Sequence, residues 1–412
     1  MKQKIQRKLA EGDFFLEEGK YDLAIDAYSK VLELGIEDAD VYYKRGFAYA
    51  NENLLDEALS DFEKSIELNP YYPPAYNDKG IVYGKKGFFK KQIKAYKKAI
   101  QLDKNYSIPY YNMAGAYFEK KYYKKALKLY TKSIRLEESS NAYCNRGYCY
   151  AIKGLYAQAI ADYTMAITLD EANGKAYNNR GEAYHSEGLY KEALADFKKA
   201  AQLDKTQTLP LENQGDVYFD KGFFDEAIKF YQKALKLEKE NASFYCKIGK
   251  AYFEKGLLPE AIENYDQAIA LCRKNVRYYN SRGIAFGESE KYRKAIKDFN
   301  TAIGINKKFT PAYINKALAY TKKKLYKKAF TAYKQALRAN IEPADIYFRR
   351  GYLYYDLCFY KKAIRDFGKA IKLDKKFTAL YEKRSIAYKK LGLKNKAKRE
   401  LRKFKNKYDN KK

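Results

Sequence analysis

One small residue recurs along the whole chain at a fixed interval, and that period constrains the fold more than any other feature. The series runs Gly12, Gly46, Gly80, Ala114, Gly147, Gly181, Gly215, Gly249, Gly283, Ala317, Gly351 and Ser385, and every step is 34 residues except one of 33 between Ala114 and Gly147. Three residues after each comes an aromatic, from Phe15 and Tyr49 to Tyr388. Twelve after it comes alanine, as in Ala24, Ala58 and Ala193, with Gln92 the one departure. Sixteen after it comes Tyr or Phe, from Tyr28 to Phe367, until Leu401 closes the series.

The spacing within one unit is helical. Tyr177, Gly181 and Tyr184 lie four and three residues apart and so share one helix face. The run breaks at Gly188-Leu189-Tyr190, and a second helix follows with Ala193, Phe197 and Ala200 on its inner face. Small residues let the two helices approach while the rings fill the remaining space. One such pair cannot bury both of its faces, so stability has to come from stacking. The abundant tyrosine and phenylalanine, 45 and 23 residues, are therefore read as packing and not as a base-stacking set.

This pattern resembles the tetratricopeptide repeat family over about residues 5 to 411. The resemblance implies an all-α fold, a right-handed α-solenoid superhelix of tandem helix-turn-helix repeats. We expect a single continuous array over 1–412, with repeats starting near 5, 39, 73, 107, 140, 174, 208, 242, 276, 310, 344 and 378 and the last acting as a carboxy-terminal cap. The proline that usually ends the second helix in this family is present as Pro70 and otherwise mostly absent. Pro74, Pro109, Pro210, Pro311 and Pro343 instead fall near the start of a first helix, where a missing N–H matters little.

Catalytic chemistry finds little to work with. The one histidine, His185, is the only base from which a His-paired triad could be built, and no phosphate-cradling glycine motif occurs. The five cysteines, Cys144, Cys149, Cys246, Cys272 and Cys358, form no C-x-x-C pair and are odd in number, which argues against a disulfide framework or a zinc site. Cys144 and Cys246 share a phase of the first helix and are read as small fillers. Carboxylates are plentiful and expected mainly on exposed helix faces beside lysines. The expectation is a non-enzymatic protein with no cofactor and no metal, in a reducing, cytoplasmic compartment. No charged stretch followed by an apolar run opens the chain, and nothing approaches the length of a membrane span.

In a superhelix of this kind the first helices line a concave groove, and there the candidate binding residues lie. The position two before the small residue is asparagine in five repeats: Asn112, Asn145, Asn179, Asn213 and Asn315. A side-chain amide offers an acceptor and two donors, so a row at one repeat spacing could hold the backbone of an extended peptide without reading its side chains. The row is similar to the asparagine ladder in the repeat domain of the glycosyltransferase that attaches N-acetylglucosamine to proteins, whose catalytic domain has no counterpart here. The competing reading is that these asparagines bridge within the stack. Chaperone adaptors of the family instead clamp an acidic tail, with lysine three before the small residue and asparagine one after it. Here those phases read Leu9 and Asp13, Tyr43 and Phe47, Asn77 and Ile81, or Cys144 and Tyr148, so that clamp is not encoded.

Charge supplies the alternative. The chain carries 82 Lys and Arg against 51 Asp and Glu, a formal net of +31. Residues 1–72 hold 9 basic and 16 acidic residues, whereas residues 376–412 hold 15 and 3. A basic face could bind nucleic acid or an anionic membrane surface by counterion release. The lysines, however, gather on second helices, as at Lys90, Lys91, Lys94, Lys97 and Lys98, or around Lys394, Lys398, Arg399 and Arg402 in the last helix. The expected partner is thus a protein or peptide, acidic or extended, with nucleic acid as the runner-up. The end-to-end charge difference would also permit weak head-to-tail self-association.

Overall fold

The computed structural model describes residues 2–339 and 343–409, and among them every regular element is an α-helix. The chain divides into two units, Met1–Lys205 and Thr206–Lys412, each of six helix pairs. The first unit holds α1 (Lys2–Glu17), α2 (Tyr21–Glu33), α3 (Ala39–Asn51), α4 (Leu55–Leu68), α5 (Pro73–Lys85), α6 (Phe89–Leu102), α7 (Ser107–Glu119), α8 (Tyr123–Leu136), α9 (Ser140–Ile152), α10 (Tyr156–Leu169), α11 (Gly174–Ser186) and α12 (Tyr190–Leu203). The second holds α13 (Leu209–Asp220), α14 (Phe224–Leu237), α15 (Ala242–Glu254), α16 (Leu258–Leu271), α17 (Val276–Glu288), α18 (Tyr292–Ile305), α19 (Thr310–Lys322), α20 (Tyr326–Ala339), α21 (Ala344–Asp356), α22 (Tyr360–Leu373), α23 (Ala379–Lys390) and α24 (Lys394–Asp409). Within each unit every helix packs on its neighbours in sequence, so the core is a chain of small clusters and not one central mass.

The small residue is small because of a ring in its own repeat. A Cβ placed on Gly181 would come within 2.6 Å of the Phe197 ring, and one on Gly283 would meet Phe299 equally closely. Both rings are buried. The alanines twelve after the small residue, Ala24 through Ala397, are fully buried, which lets the second helix lie close to the first. Gln92 fits in place of alanine because Gly84 stands opposite: its side-chain amide fills the space a Cβ at Gly84 would need. In repeat twelve Ser385 faces Leu401 where other repeats put a ring, and the Ser385 hydroxyl donates to the Ala397 carbonyl at 2.8 Å.

The turn between the helices of each pair needs one residue with left-handed backbone. Glycine supplies it at Gly19, Gly87, Gly154, Gly188, Gly222, Gly256 and Gly392, whereas Asn53, Lys121, Glu290, Lys324 and Cys358 adopt it with a side chain, at φ between 58° and 62°. An L-residue there carries a steric penalty of about 1–2 kcal/mol, partly offset by the extra freedom glycine has when unfolded. Lys121→Gly should therefore stabilise the α7–α8 pair by about 0.5–1 kcal/mol. Amide-exchange protection in those two helices is the measurement, and unchanged or lower protection would contradict this account.

Candidate functional site

Two sets of polar side chains join the repeats, and only one of them was visible as a candidate from the sequence. The other was overlooked there. Arg45, Arg146, Arg180, Arg282, Arg350 and Arg384 stand one residue before the small residue and pair with Asp61, Asp162, Asp196, Asp298, Asp366 and Glu400, sixteen residues on. These six carboxylates are buried, which corrects the expectation that the acidic residues lie mainly on exposed faces. The pairing is forked: in repeat six, Arg180 Nε donates to Asp196 Oδ2 at 2.7 Å and Nη2 to Oδ1 at 2.8 Å. Its third nitrogen reaches back to the preceding second helix, where Nη1 donates to Thr164 Oγ1 at 3.0 Å. Ser29, Thr131 and Asp266 receive the same bond from Arg45, Arg146 and Arg282.

The guanidinium is also covered on its flat sides. Arg180 lies 5.6 Å from the Tyr177 ring centre and 5.8 Å from that of Tyr184, and Arg350 lies likewise between Tyr347 and Tyr354. Part of the aromatic code thus serves to desolvate and hold an arginine. We call this arrangement the staple.

The asparagines occupy the seam between first helices. Asn112 Nδ2 donates to Asn77 Oδ1 at 3.0 Å, Asn145 Nδ2 to the Tyr111 hydroxyl at 2.9 Å, and Asn315 Nδ2 to Asn280 Oδ1 at 2.9 Å. Asn179 Nδ2 approaches Cys144 Sγ at 3.9 Å. In each case the partner stands three residues before the small residue of the preceding repeat. All five asparagines are half-buried; Asn112, Asn145 and Asn179 lie in the first unit, Asn213 and Asn315 in the second. Among the described residues the carbonyl oxygens of Asn112, Asn179 and Asn315 accept no protein hydrogen bond, while that of Asn145 meets Lys175 Nζ at 3.4 Å.

The same seam takes other chemistry elsewhere. Asp78 replaces asparagine in repeat three and accepts from the Tyr43 hydroxyl at 2.8 Å. Burial raises the Asp78 carboxyl above its usual range, and burial together with Asp78 raises the Tyr43 hydroxyl. Lys44 and Lys247 take the position in repeats two and eight, and each finds a carboxylate in the repeat before it, Asp13 at 2.9 Å and Asp216 at 2.6 Å. Asp13 and Asp216 in turn accept from the buried Tyr28 and Tyr231 hydroxyls.

The cysteines on this face are not activated. Burial pushes the Cys144 thiol up and that of Cys246 to about 11, so neither is a thiolate at neutral pH. No helix among the described residues is long and apolar enough to cross a membrane.

Comparison with known proteins decides the family. Models described as TPR repeat match residues 12–53, 215–256 and 249–289, and models described as tetratricopeptide repeat match 39–72, 73–106, 109–140, 140–173, 174–207, 276–309, 310–340 and 344–377. The chain belongs to the tetratricopeptide repeat family. It is therefore a repeat scaffold of the kind whose members typically mediate protein–protein interactions. No curated protein matches it. Among solved structures it is similar to YrrB, titled a TPR protein with an unusual peptide-binding site, at 23% identity over 43% of this chain and 92% of that one, with a TM-score of 0.39. It is similar to MamA at 28% identity over 39% and 93% of the two chains, with a TM-score of 0.36. It is similar to yeast Tom70 at 16% identity over 91% and 99%, with a TM-score of 0.48.

Proposed function

We propose that this tetratricopeptide repeat protein is a non-enzymatic, cytoplasmic scaffold, one continuous array over 1–412, that binds an extended segment of a partner protein along its first helices. The observation that carries the reading is the state of the seam asparagines. Each of Asn112, Asn145 and Asn179 has one amide N–H engaged by the preceding repeat, which fixes the plane of the amide. The remaining N–H and, in Asn112 and Asn179, the whole carbonyl oxygen are left for a ligand. A peptide backbone alternates donors and acceptors in the same way, so it can bond to such a row without losing rotamer entropy in the protein. The formal charge of +31 favours acidic segments among those that fit the groove. The same reading assigns Asn213 and Asn315 to equivalent contacts in the second unit.

The test is binding of a panel of extended acidic peptides, measured by fluorescence anisotropy. Asn145→Ala, Asn179→Ala and Asn213→Ala combined should weaken the best binder about 10- to 100-fold, as expected for the loss of one to three hydrogen bonds worth about 1 kcal/mol each. Helicity at 25 °C should be retained. Unchanged affinity in a folded triple variant would remove the asparagine row from the site.

A further inference from the structure

The staple is absent from half of the repeats, and the absence is coordinated: where the arginine is missing, so is its acid. In repeat four the two positions are filled by an apolar pair, Met113 and Leu129. In repeat three they are Lys79 and Ala95. The second case leaves a cation next to a position from which the carboxylate has been removed. Ala95 is itself buried at the floor of an open pocket of about 740 Å³.

Lysines surround that pocket. Lys79 contributes from α5, and Lys90, Lys91, Lys94, Lys97 and Lys98 contribute from α6, which contains no acidic residue. From Lys90 to Lys98 the ammonium stems are spread along about 12 Å of helix at about 1.5 Å per residue. Lys79 is paired with Glu63 of the preceding repeat at 3.0 Å. Among the described residues none of the five α6 lysines has a carboxylate within ion-pair distance. The ring of Tyr83 lies under two of the cations, 5.8 Å from Lys79 Nζ and 5.5 Å from Lys91 Nζ. The pocket is thus a staple site without its anion, set in a field of five uncompensated charges.

We propose that this pocket on α5 and α6 binds a multiply phosphorylated anion, one phosphate group taking the place of the missing carboxylate beside Lys79. Charge density selects phosphate over carboxylate. Five ammoniums require about three phosphates, each carrying about −1.5 to −2, but five separate carboxylates. Lysine rather than arginine suits the role, because a compact, rotatable ammonium binds phosphate as a point charge and does not demand the planar fork of a carboxylate. The site is distinct from the asparagine row, which lies on the first helices and takes peptide backbone.

Isothermal titration of the full chain with tripolyphosphate at about 150 mM salt, where surface charge is screened beyond about 8 Å, tests the assignment. Tripolyphosphate should bind with a micromolar dissociation constant. Lys91→Gln, Lys94→Gln and Lys98→Gln combined should weaken it at least tenfold. Ala95→Asp, which returns the carboxylate to Lys79, should do the same without altering net helicity. Lys124→Gln, Lys128→Gln and Lys132→Gln on α8 remove as much charge beside the Met113–Leu129 repeat and should change affinity less than twofold. Co-sedimentation with vesicles containing phosphatidylinositol bisphosphate, lost in the α6 variants, would assign the phosphate to a lipid headgroup; binding of tripolyphosphate without vesicles would assign it to a free oligophosphate. Equal losses from the α6 and α8 variants, equal affinity for pentaglutamate, or no binding of tripolyphosphate at millimolar concentration would each overturn the proposal.

Discussion

Replacing Asp196 by alanine should destabilise the helix pair α11–α12 by about 3–5 kcal/mol, the range for breaking a buried ion pair by removing one partner. The carboxylate is 6% exposed and accepts two bonds from Arg180, whose third bond goes to Thr164 of the previous repeat. Without the acid the guanidinium stays desolvated between Tyr177 and Tyr184 with one neutral partner. Removing both members is a different experiment. Repeat four already carries the apolar pair Met113 and Leu129 at these positions and packs normally, with Met113 buried. Arg180→Met with Asp196→Leu should accordingly recover most of the loss, because no uncompensated charge remains. In a repeat array the local opening energy of one pair is the relevant quantity, so amide exchange in α11 and α12 is the readout. A single variant within about 1 kcal/mol of the parent, or a double variant worse than the single, would show that the staple does not carry this energy.

Phe197→Ala should cost a similar amount, about 3–5 kcal/mol, for a different reason. The ring is fully buried and fills the gap that Gly181 leaves, so its removal opens a cavity on the helix–helix seam. The complementary change overfills the same space: Gly181→Ala places a methyl group 2.6 Å from the ring and should cost about 1–3 kcal/mol. The two positions have to be coupled. Gly181→Ala combined with Phe197→Leu approximates the Ser385–Leu401 combination of repeat twelve, and the alanine should cost markedly less in the leucine background than in the parent. Additive effects in this double-mutant cycle would mean that the glycine answers to something other than the ring.

The joined loss of arginine and acid was open to inspection in the sequence. Six repeats have Arg one before the small residue and an acid fifteen after it; the other six, such as Lys79 with Ala95, Gln214 with Phe230 and Lys316 with Ala332, have neither. A search for positions that change together from repeat to repeat would have found the pair, whereas attention to residues conserved in every repeat passes over it. Lys316 shows the consequence of losing the acid alone. It is half-buried without a carboxylate partner among the described residues, and burial lowers its pKa.

What the amino-acid order determined by itself was everything that depends on contacts within one repeat. The period of 34, the close approach at Gly181, the left-handed turn residue at Gly188 and the helix pair between them follow from short spacings on a helix of known pitch. Only the tertiary structure decided what the repeats do to one another. Asn112 bonds not to the same position of the previous repeat but to the residue before it, Asn77, thirty-five positions back. That offset comes from the shift and rotation with which one helix pair is laid on the next, and no linear spacing within a repeat encodes it. The same stacking carried Arg180 to Thr164 and left Ala95 at the base of a pocket ringed by lysines.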